Sequence, residues 1–399
     1  VTAAGVPQAA AIAARHHIRL HNRVVPVLVA IGFATVLVGG FVSLAPNRLV
    51  SGRPIGLFAA SPGHVIAIAI LGVILLASSF VSPSAMRDRL TAALSGLLLV
   101  TVLLAAGEAA RALTSAAPPL ARIALGPAFW VLLGASALSI VDALQRGDAG
   151  LFERLVVTLI LALAVAGLAA SGEFAALSLS REFHARQAVF MAALWRHVVL
   201  VCAAVGPAVL LGLPLGIAAV RRPRLQDPLF AALNLLQTIP SIALFGLLLV
   251  PLSALGEAIP SLSRLGIGGV GVAPAIIALI LYALLPIVRN TVAGITSVDG
   301  GVVDAARGMG MNSRQLLWRI ELPLAAPLLL AGLRIVTVQA IGLAVIAALI
   351  GAGGLGDFVF QGLGQAAADL VLLGALPAIL LALVADFLLQ SLAVLFARR

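Results

Sequence analysis

Long apolar runs alternate with short polar intervals over almost the whole chain. The runs fall at about 24–45, 64–81, 90–110, 123–142, 151–170, 196–220, 229–250, 273–295, 326–350 and 370–396. Each is long enough for a helix to cross the ~30 Å hydrocarbon core of a bilayer. The pattern predicts an all-α polytopic membrane protein of about ten transmembrane helices. The first run, 24–45, is too long for the core of a signal peptide, and Pro46 follows its small-residue end, so it reads as an uncleaved span. An even number of spans places both termini on one side of the membrane.

Two polar intervals stand out. Residues 171–195, SGEFAALSLSREFHARQAVFMAALW, are partly amphipathic and end on Trp195, a residue suited to a bilayer boundary. A domain boundary is expected there, giving an N-terminal membrane region (1–190) and a C-terminal membrane domain (191–399). The second interval, 297–323, lies between two strongly apolar runs. In it Asp304-Ala305-Ala306 is followed by Gly310, then by Ile320 and Leu322-Pro323.

The residue types of that loop predict two short helices. Asp299 can accept hydrogen bonds from the first free amides of one helix, and Asp304 still lies near its positive end. Ala305 and Ala306 have little bulk, so another protein surface can approach the backbone. Gly310 suits a left-handed helix end. Asn312 or Ser313 can cap the second helix, and Pro323 keeps it from running straight into the next span.

Other stretches interrupt the spans. Gln237, Thr238, Pro240 and Ser241 lie within an apolar run, where proline frees carbonyls that neighbouring polar side chains can satisfy. A kink with local hydrogen bonding and a lining of the translocation path are both open readings. Tyr282 precedes Pro286 in a similar stretch, with Arg289 placed to snorkel. Ile350–Asp357, IGAGGLGD, contains an offset GxGxxG. A membrane span rather than a soluble strand precedes it, so no dinucleotide site is expected, and the glycines instead suit close helix approach or a re-entrant turn. Arg334 lies inside a span and needs a partner or water, with Asp386 the candidate by chemistry. A helix-fixing pair and a substrate site are its two readings.

Composition agrees with the pattern. The chain of 399 residues is 62% hydrophobic and 10% charged, with mean hydropathy +1.17. The formal charge of +10 comes from 25 basic residues, all arginine, spread over short loops instead of gathered in a patch, which argues against nucleic-acid binding. With the N-terminus cytoplasmic, sixteen arginines fall on inside segments, eight on outside segments and Arg334 within a span. That bias predicts both termini and the 297–323 loop in the cytoplasm. The single Cys202 permits no internal disulfide. His17 and His21 share a helix spacing, yet a metal site needs further ligands. No metal site is expected, and no catalytic constellation is present.

The spacing Asp304-Ala-Ala-x3-Gly-x9-Ile-x-Leu-Pro323 resembles the EAA loop of ABC importer permeases, with Asp304 where Glu is usual. LQTIPSIALFGLLL (235–248), ALLPIVRNTVAGI (283–295), AARGMGM (305–311) and IGAGGLGDFVFQGL (350–363) resemble the glycine betaine/choline/proline osmoprotectant permeases. The likeness covers about 195–399 and implies a type I, MetI-like permease core in the last five spans. It also implies a bacterial-type inner membrane and a small-osmolyte importer whose chain is not itself an enzyme. The implied partners are two cytoplasmic ATPase subunits, which would use ATP and Mg, a second permease and an extracytoplasmic substrate-binding protein. By the resemblance, Asp304, Ala305, Ala306, Gly310, Ile320, Leu322 and Pro323 form the ATPase-coupling loop. Gln237, Thr238, Pro240, Ser241, Tyr282 and Arg334 are the candidate path residues. The alternatives are a permease for another small solute, such as an amino acid or sulfonate, and an ion-coupled secondary transporter.

Overall fold

The computed structural model describes residues 20–47, 50, 52–118, 120–261 and 267–397. His17 and the arginines at 15, 19, 48, 264, 398 and 399, used above for metal or topology readings, lie outside the described residues. The chain divides between Leu177 and Ser178 into two compact units.

The first unit contains α1 (Val24–Val38), β1 (Val42–Ala45), β2 (Arg53–Ile55), α2 (Leu57–Ala60), α3 (Pro62–Ser78), α4 (Ala85–Ala116), β3 (Arg122–Leu125), α5 (Pro127–Arg146) and α6 (Leu151–Ala170). Its core joins Val25, Phe41, Leu57, Val102, Ile123 and Phe129 from most of these elements. Asn22 starts α1: its Oδ1 accepts from the Val24 amide at 2.8 Å while its Nδ2 donates to Asp142 on α5 at 2.8 Å. The expected span 24–45 is shorter than its apolar run. Gly39 and Gly40 interrupt it, and residues 42–45 form the middle strand of an antiparallel sheet ordered β2-β1-β3. Val42 pairs with Ile55 on one side and with Leu125 on the other. The same sheet takes 122–125 out of the expected fourth span. A helix of 15 residues rises only ~22 Å, so α1 is short for a full bilayer core.

The second unit contains α7 (Ser178–Ala185), α8 (Gln187–Arg221), α9 (Pro223–Thr238), α10 (Ser241–Ala258), α11 (Val272–Thr296), α12 (Gly300–Gly308) and α13 (Ser313–Leu316). A π turn (Leu317–Glu321) leads into α14 (Leu322–Ile346), followed by a 3-10 turn (Ala347–Ile350), α15 (Gly356–Gly364) and α16 (Ala368–Ala397). The packing runs α8 on α11, α11 on α14 and α14 on α16. Missing side chains permit the close approaches. A Cβ on Gly216 of α8 would come 2.5 Å from Thr291 of α11, and one on Gly332 of α14 would come 2.7 Å from Asn290.

Among the described residues eight helices are long and apolar enough to cross a membrane, and α1 and α3 are shorter apolar helices. The run 229–250, expected as one span, is two helices. Ile239 leaves helical geometry before Pro240, and α10 starts afresh at Ser241.

Candidate functional site

The loop between α11 and α14 is built by its own sequence. The Asp299 carboxylate accepts from the Gly301 amide at 2.7 Å and the Val302 amide at 3.3 Å, opening α12. At the other end the Met311 amide reaches the Ala306 carbonyl at 3.2 Å and the Gly310 amide reaches Arg307 at 2.9 Å. Those two bonds, with Gly310 at φ 82°, form a Schellman termination. The second helix opens on a reciprocal cap: Asn312 Oδ1 accepts from the Gln315 amide and Gln315 Oε1 accepts from the Asn312 amide, both at 2.9 Å. Thus both ends of α12 and the start of α13 are specified locally.

The two alanines have different surroundings. Ala306 is buried and faces inward, whereas Asp304, Ala305, Arg307 and Gly310 are exposed. Asp304 lies 3.7 Å from Arg307, both open to solvent, a pair worth little energy. Ile320 and Leu322 are half-buried and Pro323 is exposed at the start of α14. Three exposed apolar side chains on the loop escaped the sequence reading: Val302, Met309 and Trp318.

Glu321 also escaped it. This carboxylate is only 4% exposed, at the end of the π turn, and accepts a charge-assisted hydrogen bond from Arg221, the last residue of α8. A polar residue at a span end gives no sequence signal of a partner 100 positions away.

Of the candidate path residues, Gln237, Thr238, Pro240, Ser241 and Tyr282 meet at the α9–α10 break, whereas Arg334 is engaged by another helix. Pro286 has no amide to offer the Tyr282 carbonyl one turn back, and Gln237 Nε2 donates to that carbonyl at 2.9 Å. The Tyr282 hydroxyl in turn donates to the Ile239 carbonyl at the α9–α10 break. Gln237 and Tyr282 therefore lock the broken helix to α11, with Pro240 and Ser241 forming the break itself. Thr238 donates to the Leu235 carbonyl of its own helix at 2.7 Å. Arg334 is engaged by Asp386 of α16 through Nε and Nη2, the latter at 2.8 Å.

The glycine stretch at the opposite end of α14 is a turn. Gly351, Gly353 and Gly354 all have left-handed backbone, and a Cβ on Gly354 would sit 3.2 Å from Nδ1 of buried His197. Arg196 Nε donates to the Ala352 carbonyl at 3.1 Å. Burial pushes the Asp357 carboxyl above its ordinary value, partly opposed by the charge of Arg196.

In the first unit Ser61, His64 and Glu108 also meet, with His64 Nδ1 2.6 Å from Glu108 Oε2 and 3.0 Å from Ser61 Oγ. Both contacts use one imidazole nitrogen, so the group lacks the arrangement of a nucleophilic triad, in which one ring nitrogen takes the serine proton while the other is held by the carboxylate. Among the described residues no group of three or more His, Cys, Asp or Glu is placed to hold a metal.

Comparison with known proteins gives this geometry a context. Residues 21–180 match the family described as ABC transporter permease YehY, N-terminal domain. Residues 208–399 match the binding-protein-dependent transport system inner membrane component family. The osmoprotectant import permease protein OsmW of Salmonella typhimurium is 44% identical over 200 residues, which is 50% of this chain and 88% of that protein. The carnitine transport permease protein OpuCB of Listeria monocytogenes is 40% identical, covering 50% of this chain and 84% of its own. The choline transport system permease protein OpuBB of Bacillus subtilis is 37% identical, covering 49% and 82%. A chain of the inward-facing MetNI methionine ABC transporter aligns at 22% identity with a TM-score of 0.43, covering 51% of this chain and 96% of that one. By the family models and the sequence relatives, the chain belongs to the family of inner-membrane permease components of binding-protein-dependent ABC transport systems.

Proposed function

We propose that this permease moves a small osmolyte such as glycine betaine, choline or proline betaine inward, driven by ATP hydrolysed with Mg on separate cytoplasmic ATPase subunits. The chain itself carries no catalytic step. A second permease, identical or paralogous, completes the translocation unit, and an extracytoplasmic binding protein delivers the solute. Both termini and the 297–323 loop lie in the cytoplasm.

The observation that carries this reading is the loop. Its caps and its Schellman turn make it a rigid unit that presents Val302, Ala305 and Met309 outward between two membrane helices. A rigid element fixed to two spans can bias a bundle with two packing states, and ATP binding supplies the difference in free energy. The substrate class rests on the relatives, whose names specify osmoprotectant, carnitine and choline transport. A quaternary ammonium is held well by aromatic faces, and this chain is only 5% aromatic, so selection falls to the binding protein. An ion-coupled carrier would use an unpaired intramembrane acid, and Asp386 is instead paired with Arg334. The test is uptake of labelled glycine betaine by vesicles containing the permease, its ATPase and its binding protein. Uptake that requires ATP and falls under competing choline supports the reading, and uptake driven by an ion gradient without ATP refutes it.

A further inference from the structure

The coupling loop leaves the bundle at two covalent points, the end of α11 and the start of α14. We propose that the Arg221–Glu321 ion pair adds a third connection, from the α14 end of the loop to α8, and that these two side chains are positioning residues that convert motion of the loop into motion of the spans. The proposal rests on the coupling-loop reading above.

The geometry is specific. Glu321 closes the π turn, where the Leu322 amide reaches back five residues to the Leu317 carbonyl. Such wide turns are uncommon and recur at functional sites. The Glu321 carboxylate is buried, although it sits at the end of a polar loop with solvent nearby. A buried carboxylate is retained only with a partner, and Arg221 supplies one through Nη2. Arg221 ends α8, so the pair ties the loop to a helix with which it shares no covalent junction.

From Arg221 the connection continues by packing. The turns of α8 just before it meet α11 at Gly216 and Gly212, where a Cβ would come 2.5 Å from Thr291 and 2.7 Å from Ile287. With no side chain between them at these two glycines, the helices pack backbone against side chain, so a shift of the π turn is passed through α8 to α11. The pair therefore makes α8, α11 and α14 respond together.

The experiment uses the permease with its ATPase subunits and binding protein in proteoliposomes, reading ATP hydrolysed per glycine betaine imported. Alongside, a pull-down reads whether the ATPase stays bound. Glu321→Gln and Arg221→Met are expected to retain the ATPase and its hydrolysis while the ATP cost per solute rises on the order of tenfold. The exchange Arg221→Glu with Glu321→Arg should recover part of the loss, which a purely local folding role for either residue would not produce. An unchanged ratio in both single variants overturns the proposal, as does equal loss of hydrolysis and import together. If Glu321→Gln does not accumulate in the membrane, Arg221→Lys decides, since it keeps the charge and loses the fork: a ratio between parent and Arg221→Met supports the proposal, and one equal to Arg221→Met overturns it. Failure of the parent to bind any ATPase is a separate result that removes the coupling-loop reading itself.

Discussion

The Arg334–Asp386 pair joins α14 to α16 inside the apolar part of the second unit, and the two partners should not be equivalent when removed. Asp386→Asn leaves a guanidinium that cannot shed its proton, and a lone charge on a span costs about 2.5–3.5 kcal/mol at the bilayer centre by insertion measurements. Arg334→Met leaves the shorter Asp386 side chain, less exposed than Arg334 but no longer paired, and we expect a smaller cost. The side chains are 38% and 33% exposed in the isolated chain, so part of each cost is relieved by water, lipid headgroups or a neighbouring subunit. We expect a loss of about 2 kcal/mol for Asp386→Asn, about 1 kcal/mol for Arg334→Met, and near-parental stability for Arg334→Met combined with Asp386→Leu. Unfolding from mixed micelles with increasing SDS measures all four forms, and 2 kcal/mol is roughly a thirtyfold change in the equilibrium. Transport by the double variant then separates the two roles of Arg334. Retained transport makes the pair a helix fastener. A double variant no more stable than Asp386→Asn would refute the reasoning, because it would mean that the unpaired charge was never the source of the loss.

Three further predictions concern separate parts of the second unit. Gly310 has φ 82°, and a Cβ placed on it would meet no atom within 4 Å, so Gly310→Ala should cost only the backbone penalty, about 1–2 kcal/mol. Gly310→Asn should cost less, both read as loop protection in hydrogen exchange. Gln237→Leu should destabilise by about 1–2 kcal/mol by orphaning the Tyr282 carbonyl, and Pro286→Ala should suppress that loss by restoring the missing amide, as measured in a double-mutant cycle. Asp357 is held above its ordinary value by burial, so its contribution to stability is complete below the unfolded value and is lost as pH rises through the folded one. Asp357→Asn should flatten that part of the stability–pH curve, and an unchanged slope would remove Asp357 as its source.

What could be read from the sequence was local. Asp299, Gly310 and Asn312 announce their roles because caps and left-handed turns depend on a few neighbouring residues, and the structure places each where its chemistry predicts. Asp386 was identifiable as partner to Arg334 because a charge inside a span leaves few candidates. Strand β1 was hidden because a four-residue strand continuing an apolar run has no periodicity to distinguish it from helix. The α9–α10 break was legible as an interruption at Pro240, but not as two helices, since the lock comes from Tyr282, distant in sequence. The Arg221–Glu321 pair was invisible for the same reason: each residue alone looks like an ordinary charge at a membrane boundary.

The most direct test of the account is whether the loop is where an ATPase binds. Tagged permease in detergent, presented with its ATPase subunits, should retain them, and Gly310→Asp should release them while the membrane helices keep their fold by circular dichroism. Equal retention by parent and variant, or uptake of glycine betaine without ATP, would contradict it.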